Sequence, residues 1–496
     1  MTCQPPVSVD GQSLSCAQVD AVARGASRVL LHEDGRSRAV RAHAVAKYVM
    51  TVRAVYGRTT GVGANRDQVV AHNDPGHGLR LLRSHASGAG PLHPPERIRA
   101  LLLVRLNQLA AGGSGVAPQL LDALEAMLES GVVPAIHQLG AIGTGDLCAL
   151  AELGLALCGE LEGSVGSAPV VDLSSSDALA LISSNAATIA EGVLAHQDLS
   201  VLLSAAEVVA SLSFVALGGA LQAYGAPVQQ ARAHPGQVRV AQRMRALLGS
   251  DPAPGPGRRL QDPFGLRAVP QVHGTAVDAV ARLGEVLEVE MNSRAENPLI
   301  DVGTADAWHN ANFHTGYLAH ALDSARAAVY PVAQLSTARL GDLMEPEFSG
   351  LPAFLAEGPA GSSGVMALEY LAQDSVASLR HGAVPAALGT AIISRGLEDH
   401  ASFSTHAARL ATAAVPALRT VLACELVVAV RKLAMGEGLG TDHPLGMAYA
   451  LAREVLQPGL LDRPLSRDVQ AACGLLDRLG RQRGPASAGA RSPGAG

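Results

Sequence analysis

The sequence predicts a mostly α protein built from long helices packed side by side. Segments rich in Ala and Leu carry apolar residues at helical spacing over long stretches. Alternating patterns and β-branched runs are scarce, so neither a series of βαβ units nor a repeat of fixed period can be read. Hydrophobic residues make up 48% of the 496 residues and charged residues 17%, enough apolar surface to bury a large core.

The elements follow in chain order. Residues 1–45 are polar and mixed, with a short helix expected over 16–24. Residues 54–66, AVYGRTTGVGANR, form a loop rich in Gly and Thr. Helical periodicity runs over 96–111 and 119–129, broken at Gly112-Gly113. An irregular connection over 134–145 leads into a helix over 146–157. Further helices are expected over 177–196, 205–224, 274–290, 314–340, 365–381 and 403–435. The stretch 251–257 (DPAPGPG) is a loop by composition, and 482–496 is a disordered tail of Gly, Pro, Ser, Arg and Ala. Three regions result: 1–200, holding the tyrosine loop and the Gly-Thr-Gly-Asp loop; 201–480, a helical bundle; and 481–496, the tail. Long Ala-rich helices need a large contact area to pack well, which favours a homo-oligomer.

Composition excludes several function classes. The formal net charge is -6 and aromatics are 3%, so the chain has neither the basic excess nor the stacking surface of a nucleic-acid binder. All lysines but Lys47 and Lys432 are absent, and arginine carries the positive charge. The six cysteines form no close pair, so neither a disulfide framework nor a zinc site is expected. His309 with His314, and His400 with His406, are spaced wrongly for a metal pair on one helix face. His137 and His273 read as structural. Residues 1–10 lack the apolar core of a signal peptide, and 208–222 is too short and too interrupted for a membrane span. The cytoplasm is the default compartment, with no membrane partner.

The chemistry concentrates in a few motifs. Gly140-Ala141-Ile142-Gly143-Thr144-Gly145-Asp146-Leu147 places glycines before a helix, a pattern also used to cradle pyrophosphate. Pro134 interrupts the segment before it and no parallel-sheet pattern follows, which disfavours that use. Tyr56-Gly57-Arg58-Thr59-Thr60-Gly61-Val62-Gly63, Ser84-His85-Ala86, Gln261-Asp262-Pro263-Phe264-Gly265-Leu266-Arg267 with Pro270-Gln271-Val272, Glu296-Asn297-Pro298-Leu299, Asn312-Phe313-His314 and Glu398-Asp399-His400 complete the set.

In this order the motifs resemble those of the aromatic amino acid lyase family, over roughly residues 45 to 475. The resemblance implies an all-α homotetramer of the ammonia-lyase (fumarase/aspartase-like) type. Its active sites would be assembled from three subunits, so Tyr56 and Thr144 need not meet within one chain. It also implies elimination of ammonia from an α-amino acid, or its shift, by an electrophile built from the backbone, 4-methylideneimidazol-5-one (MIO). No external cofactor and no metal are then expected. The ring forms when the glycine nitrogen attacks the carbonyl two residues earlier, and two waters are lost. Gly143, Thr144 and Gly145 stand at the family's Ala-Ser-Gly. Threonine would yield an ethylidene in place of the methylene, and its β-branch resists the folded-back loop. The plainer reading is that Thr144 or Asp146 caps the following helix.

By the same resemblance Tyr56 is the base that takes the β-proton. A free phenol has a pKa of about 10, so this role calls for nearby positive potential. Arg267 grips the substrate carboxylate with its planar fork. His85, Ser183, Phe313 and Glu398 line the substrate pocket, and the Ser84-His85 pair with Glu398 is typical of the histidine branch. A histidine and a carboxylate suit a polar, nitrogen-bearing side chain. Phe264 stands where the family has a tyrosine. Ser183 stands where it has an asparagine, and Asn185, two residues on, would turn to another helix face. The expected function is an ammonia-lyase-like reaction on a histidine-like or other polar α-amino acid. Two alternatives stay open: an enzyme of the same fold that uses Tyr56 for a different elimination or cyclisation without MIO, and a non-catalytic homologue.

Overall fold

The computed structural model describes residues 5–71, 74, 76–166, 169–249 and 258–482. The 251–257 loop and the tail beyond 482 lie outside the described residues, while residue 481 closes the helix Ser466–Arg481. Helices dominate. Strands among the described residues form three two-stranded sheets: Val7–Val9 parallel to Val29–Leu31, Ala89–Leu92 antiparallel to His137–Leu139, and Leu299–Asp301 antiparallel to Asp306–Trp308.

Two compact units share the chain. The first comprises Met1–Gln197, Leu283–Asp323 and Pro385–Thr412, and the second Asp198–Arg282, Ser324–Val384 and Ala413–Gly496. In the first, Cys16–Ala23 starts at a capping box in which Ser15 and Gln18 satisfy each other's backbone. Pro95–Ala110 begins with Pro at its first turn and is buried over most of its length, with Leu101, Leu102, Leu103, Leu106 and Leu109 at 1% exposure or less. Arg105, fully buried within that helix, is held by Glu296 at 3.1 Å, by the Leu181 carbonyl at 2.9 Å and by the Ala180 carbonyl at 2.5 Å. In the second unit Arg339 grips Glu425 through two bonds of 2.6 and 2.8 Å, and Ser213 and Ser336 each donate to the same carboxylate at 2.6 Å. The stretch Asp177–Leu217, which includes the helix Ala186–Leu217, and the helix Ser404–Ala434 are apolar and long enough to cross a bilayer, and 78% and 72% of their most apolar windows are buried inside the protein. Their apolarity is that of core helices.

Three expectations are corrected. The helix read over 177–196 is two helices, Asp177–Ile182 and Ala186–Leu217, separated by a non-helical turn at Ser183, Ser184 and Asn185. The apolar run over 205–224 is not a separate helix: it belongs to Ala186–Leu217 and ends in the short turn Leu221–Tyr224. The polar N-terminal stretch contains a 20-residue helix, Glu33–Val52, whose buried stripe is Gly35, Ala39, Ala42, Ala46 and Val49. That stripe has helical spacing, but its residues are small and the charged residues between them mask it.

Candidate functional site

The site is built on loops and helix ends of the first unit. The tyrosine loop is held by its own threonines. Thr59 Oγ1 accepts the Val55 amide at 2.8 Å, and Thr60 Oγ1 accepts that of Gly57 at 3.2 Å. Gly57 must be glycine, because its φ is +64° and a Cβ there would lie 2.1 Å from Leu179 Cδ2. The loop is then clipped to a second one, where the Ala64 amide donates to Ser394 Oγ at 2.9 Å. Ser394 and Arg395 both have positive φ, 53° and 57°, so this second loop is strained where it meets the site.

A cavity of about 750 Å³ opens between these loops. Tyr56, His85, Thr144, Gly145, Ser183, Phe313 and Glu398 all line it. Tyr56 and Thr144 thus share a cavity wall within one chain. Arg267 is not among the lining residues. It lies in the second unit on Phe264–Arg267, its guanidinium 4.6 Å over the Phe264 ring, and its Nε is buried without a hydrogen-bond partner among the described residues. Gly143 is buried behind the wall.

The loop 143–146 is pinned on every side. Gly143 and Gly145 have φ of 87° and 116°, so the backbone doubles back around Thr144. The Gly143 carbonyl accepts Ser402 Oγ at 2.9 Å and Thr315 Oγ1 at 3.3 Å. The Gly145 amide donates to Asn185 Oδ1 at 3.1 Å, and Asn185 Nδ2 donates to the Phe313 carbonyl at 2.7 Å. Neither Thr144 nor Asp146 caps the following helix, Leu147–Leu157, through its side chain. The Asp146 carboxylate instead accepts the Thr188 amide at 2.7 Å and its hydroxyl at 2.8 Å. Burial pushes that carboxyl up to about 6, against the hydrogen bonds from Thr188 and Thr405. Helices Ala186–Leu217, Gly316–Met344 and Ser404–Ala434 all begin beside this loop, so three helix N-termini add positive potential there. Ring closure must join the Gly143 carbonyl carbon to the Gly145 nitrogen; both groups are fixed by hydrogen bonds and neither residue has a side chain to obstruct the turn, so these residues fit a backbone-derived ring.

Tyr56 departs from expectation. Its hydroxyl oxygen accepts the Gly63 amide at 2.7 Å. Burial raises its pKa above the ordinary phenol value and the Glu398 carboxylate adds to this, while the Gly63 N–H and the Arg66 guanidinium act in the opposite direction. The positive potential expected beside it is present but is outweighed. His85 Nδ1 lies 2.9 Å from the Leu81 carbonyl and 3.0 Å from Ser84 Oγ, so Nδ1 is engaged at the foot of its helix. Ser183 Oγ accepts the Asn297 amide at 3.0 Å.

Several residues of the site were given no role in it from sequence. His309 Nε2 accepts the Tyr56 amide at 3.3 Å and the two rings meet edge to face at 6.5 Å, while burial holds the imidazole pKa below its ordinary value. Arg66, Asn297, Asn310 and Ser394 also line the cavity. Asn185 was set aside on a helix-face argument, which fails because residues 183–185 are not helical.

A long-helix protein that turns a hydroxyl residue between two left-handed glycines toward a cavity shared with a tyrosine and a histidine is of the ammonia-lyase class of carbon–nitrogen lyases. The profile of the aromatic amino acid lyase family matches residues 14–454. The chain is 34% identical over 494 residues to histidine ammonia-lyase of Caldanaerobacter subterraneus subsp. tengcongensis, covering 96% of this chain and 97% of that protein. Its fold is similar to that of ergothionase from Treponema denticola, with a TM-score of 0.88, 28% identity and coverage of 96% and 99% of the two chains. It is likewise similar to tyrosine aminomutase from Streptomyces globisporus, with a TM-score of 0.89, 28% identity and coverage of 96% and 97%. The chain belongs to the aromatic amino acid lyase family.

Proposed function

We propose that this protein eliminates, or shifts, the α-amino group of a histidine-like or other polar α-amino acid. The observation that carries the reading is that Tyr56, His85, Thr144 and Glu398 of one chain line one cavity. Family members act on small amino-acid substrates, and the relatives' names span ammonia elimination and amine migration.

In this reading the Tyr56 phenolate takes the β-proton, with the Gly63 N–H and Arg66 favouring its charge. His85 offers Nε2 to an N–H of the substrate side chain, and Glu398 takes a second N–H or a cationic group. Ser183 and Phe313 shape the remaining wall. A ring closed from Gly143, Thr144 and Gly145 supplies the electrophile that activates the amine as leaving group. Arg267, whose Nε has no hydrogen-bond partner among the described residues, serves the carboxylate in the cavity of a neighbouring copy, and the working form is a homotetramer with shared sites. We place that tetramer in the cytoplasm.

The test is ammonia release from L-histidine, other heteroaryl and polar amino acids, and phenylalanine, alongside the mass of the peptide containing Thr144. Release from the polar set, lost in Tyr56→Phe, is the expected result. Release from phenylalanine alone overturns the substrate class. A second reading is favoured by threonine at the serine position: the same cavity and Tyr56 carry out a different elimination or cyclisation with no ring. An unmodified peptide together with Tyr56-dependent turnover would select it.

A further inference from the structure

The Gly143 carbonyl sits in a buried cluster of three hydroxyls, those of Thr315, Ser402 and Ser404. A carbonyl only accepts, so both Ser402 Oγ, at 2.9 Å, and Thr315 Oγ1, at 3.3 Å, donate to it. Thr315 Oγ1 also meets Ser404 Oγ at 2.7 Å and Ser402 Oγ at 3.3 Å, so its single proton is shared among three acceptors while Ser402 is the shorter donor to the carbonyl. Ser402 Oγ in turn accepts the Ser404 amide at 3.3 Å. Thr315, Ser402 and Ser404 are 2%, 4% and 0% exposed, so no bulk water competes for the carbonyl. The same hydroxyls occupy the space of a side chain at 143. A Cβ there would lie 2.1 Å from Ser402 Oγ and 2.7 Å from Ser404 Oγ.

Among the backbone carbonyls of this loop, that of Gly143 is the one ring closure attacks. We infer that Thr315, Ser402 and Ser404 form an oxyanion cradle that promotes self-cyclisation of the Gly143-Thr144-Gly145 segment, an inference that rests on the ring-bearing reading above. The Gly145 nitrogen bonds to the Gly143 carbonyl carbon, and the carbonyl electrons move onto oxygen, where the Ser402 and Thr315 hydroxyls stabilise the charge. That oxygen leaves as water with the protons of the Gly145 and Thr144 amides, and a C=N bond forms between the Gly143 carbon and the Thr144 nitrogen. A second water takes the Thr144 Cα proton and its hydroxyl, leaving the Cα=Cβ bond. No oxidant or co-reactant is consumed. The residues are positioning residues for maturation and do not touch substrate.

The experiment follows the mass of the peptide spanning 143–145 over time in freshly purified full-length protein. The variants are Thr315→Val, which keeps the shape and removes the donor, Thr315→Ser, which restores it, and Ser402→Ala. Circular dichroism and the thermal midpoint report folding separately. The expected result is loss of two waters in the native chain and in Thr315→Ser, with ring closure about 100-fold slower in Thr315→Val and Ser402→Ala. Loss of one water in the native chain, slowed in the same variants, also supports the cradle and assigns the missing step to Thr144 dehydration. Equal modification of native chain and folded variants overturns the cradle and leaves the ring-bearing reading intact. An unmodified native chain overturns both.

Discussion

At the residue scale, Gly143 and Tyr56 carry the sharpest consequences. Restoring the family's alanine by Gly143→Ala would ordinarily be a conservative change. Here it forces a side chain into left-handed backbone against Ser402 and Ser404, and we expect a cost of about 1–3 kcal/mol, read from urea unfolding, with peptide modification reduced as well. In the proposed reaction the base is the ionised Tyr56 phenol, whose fraction falls about tenfold for each pH unit below its pKa. Because that pKa is raised, kcat/KM should still be climbing at pH 10. Glu398 contributes to the rise and Arg66 opposes it. Glu398→Gln should therefore move the alkaline limb to lower pH and Arg66→Ala to higher pH, whatever each does to the absolute rate. A limb that stays in place in both variants would remove Tyr56 as the titrating base.

At the element scale, the junctions between helices decide more than the helices do. Arg339 in Gly316–Met344 and Glu425 in Ser404–Ala434 are both 0% exposed and doubly bonded, with Ser213 of Ala186–Leu217 and Ser336 completing the carboxylate's shell. Arg339→Met leaves a buried carboxylate without its counter-charge, so a loss of about 3–5 kcal/mol in urea unfolding is expected, well beyond the Met-for-Arg change in packing. The long helices were legible because Ala and Leu repeat at their spacing over many turns. Glu33–Val52 was not, since its buried stripe is Gly and Ala among arginines. The break at Ser183, Ser184 and Asn185 was not legible either, because the local composition reads as continuous helix. Contacts remote in sequence make it: Asn185 to Gly145 and Phe313, and Ser183 to Asn297. Most cavity-lining residues carried a motif that sequence could flag. The Thr315, Ser402 and Ser404 hydroxyls did not, since nothing local says where a serine will point.

At the scale of the whole molecule, buried ionisable groups set opposing responses to pH. His273 is fully buried with both ring nitrogens unpartnered among the described residues, and burial with the Arg339 charge pushes its pKa from 6.5 to about 3. Its folded pKa is depressed, so the stability it permits is present above pH 6.5 and lost as pH falls toward 3. Glu207 and Glu290, pushed up by burial from 4.5 to about 7, act the other way, losing stability as pH rises through that range. Comparing native protein with His273→Phe isolates one contribution. Between pH 6 and 4 the native chain should lose stability relative to the variant by on the order of 1 kcal/mol per pH unit in urea midpoints. The proposed sharing of sites between copies has its own test. Inactive Tyr56→Phe and Arg267→Ala chains, co-expressed, should recover part of the native turnover, whereas no recovery would place Arg267 outside the site.

The bond from Ser402 to the Gly143 carbonyl spans 259 positions of the chain. During synthesis the ribosome releases the Gly-Thr-Gly segment long before it has made the residues that hold its carbonyl. A nascent or truncated chain ending before Ser402 carries an uncradled segment and should stay chemically unmodified. In the proposed maturation, the covalent state of residues 143–145 then records permanently that the Pro385–Thr412 stretch of the first unit has arrived and docked.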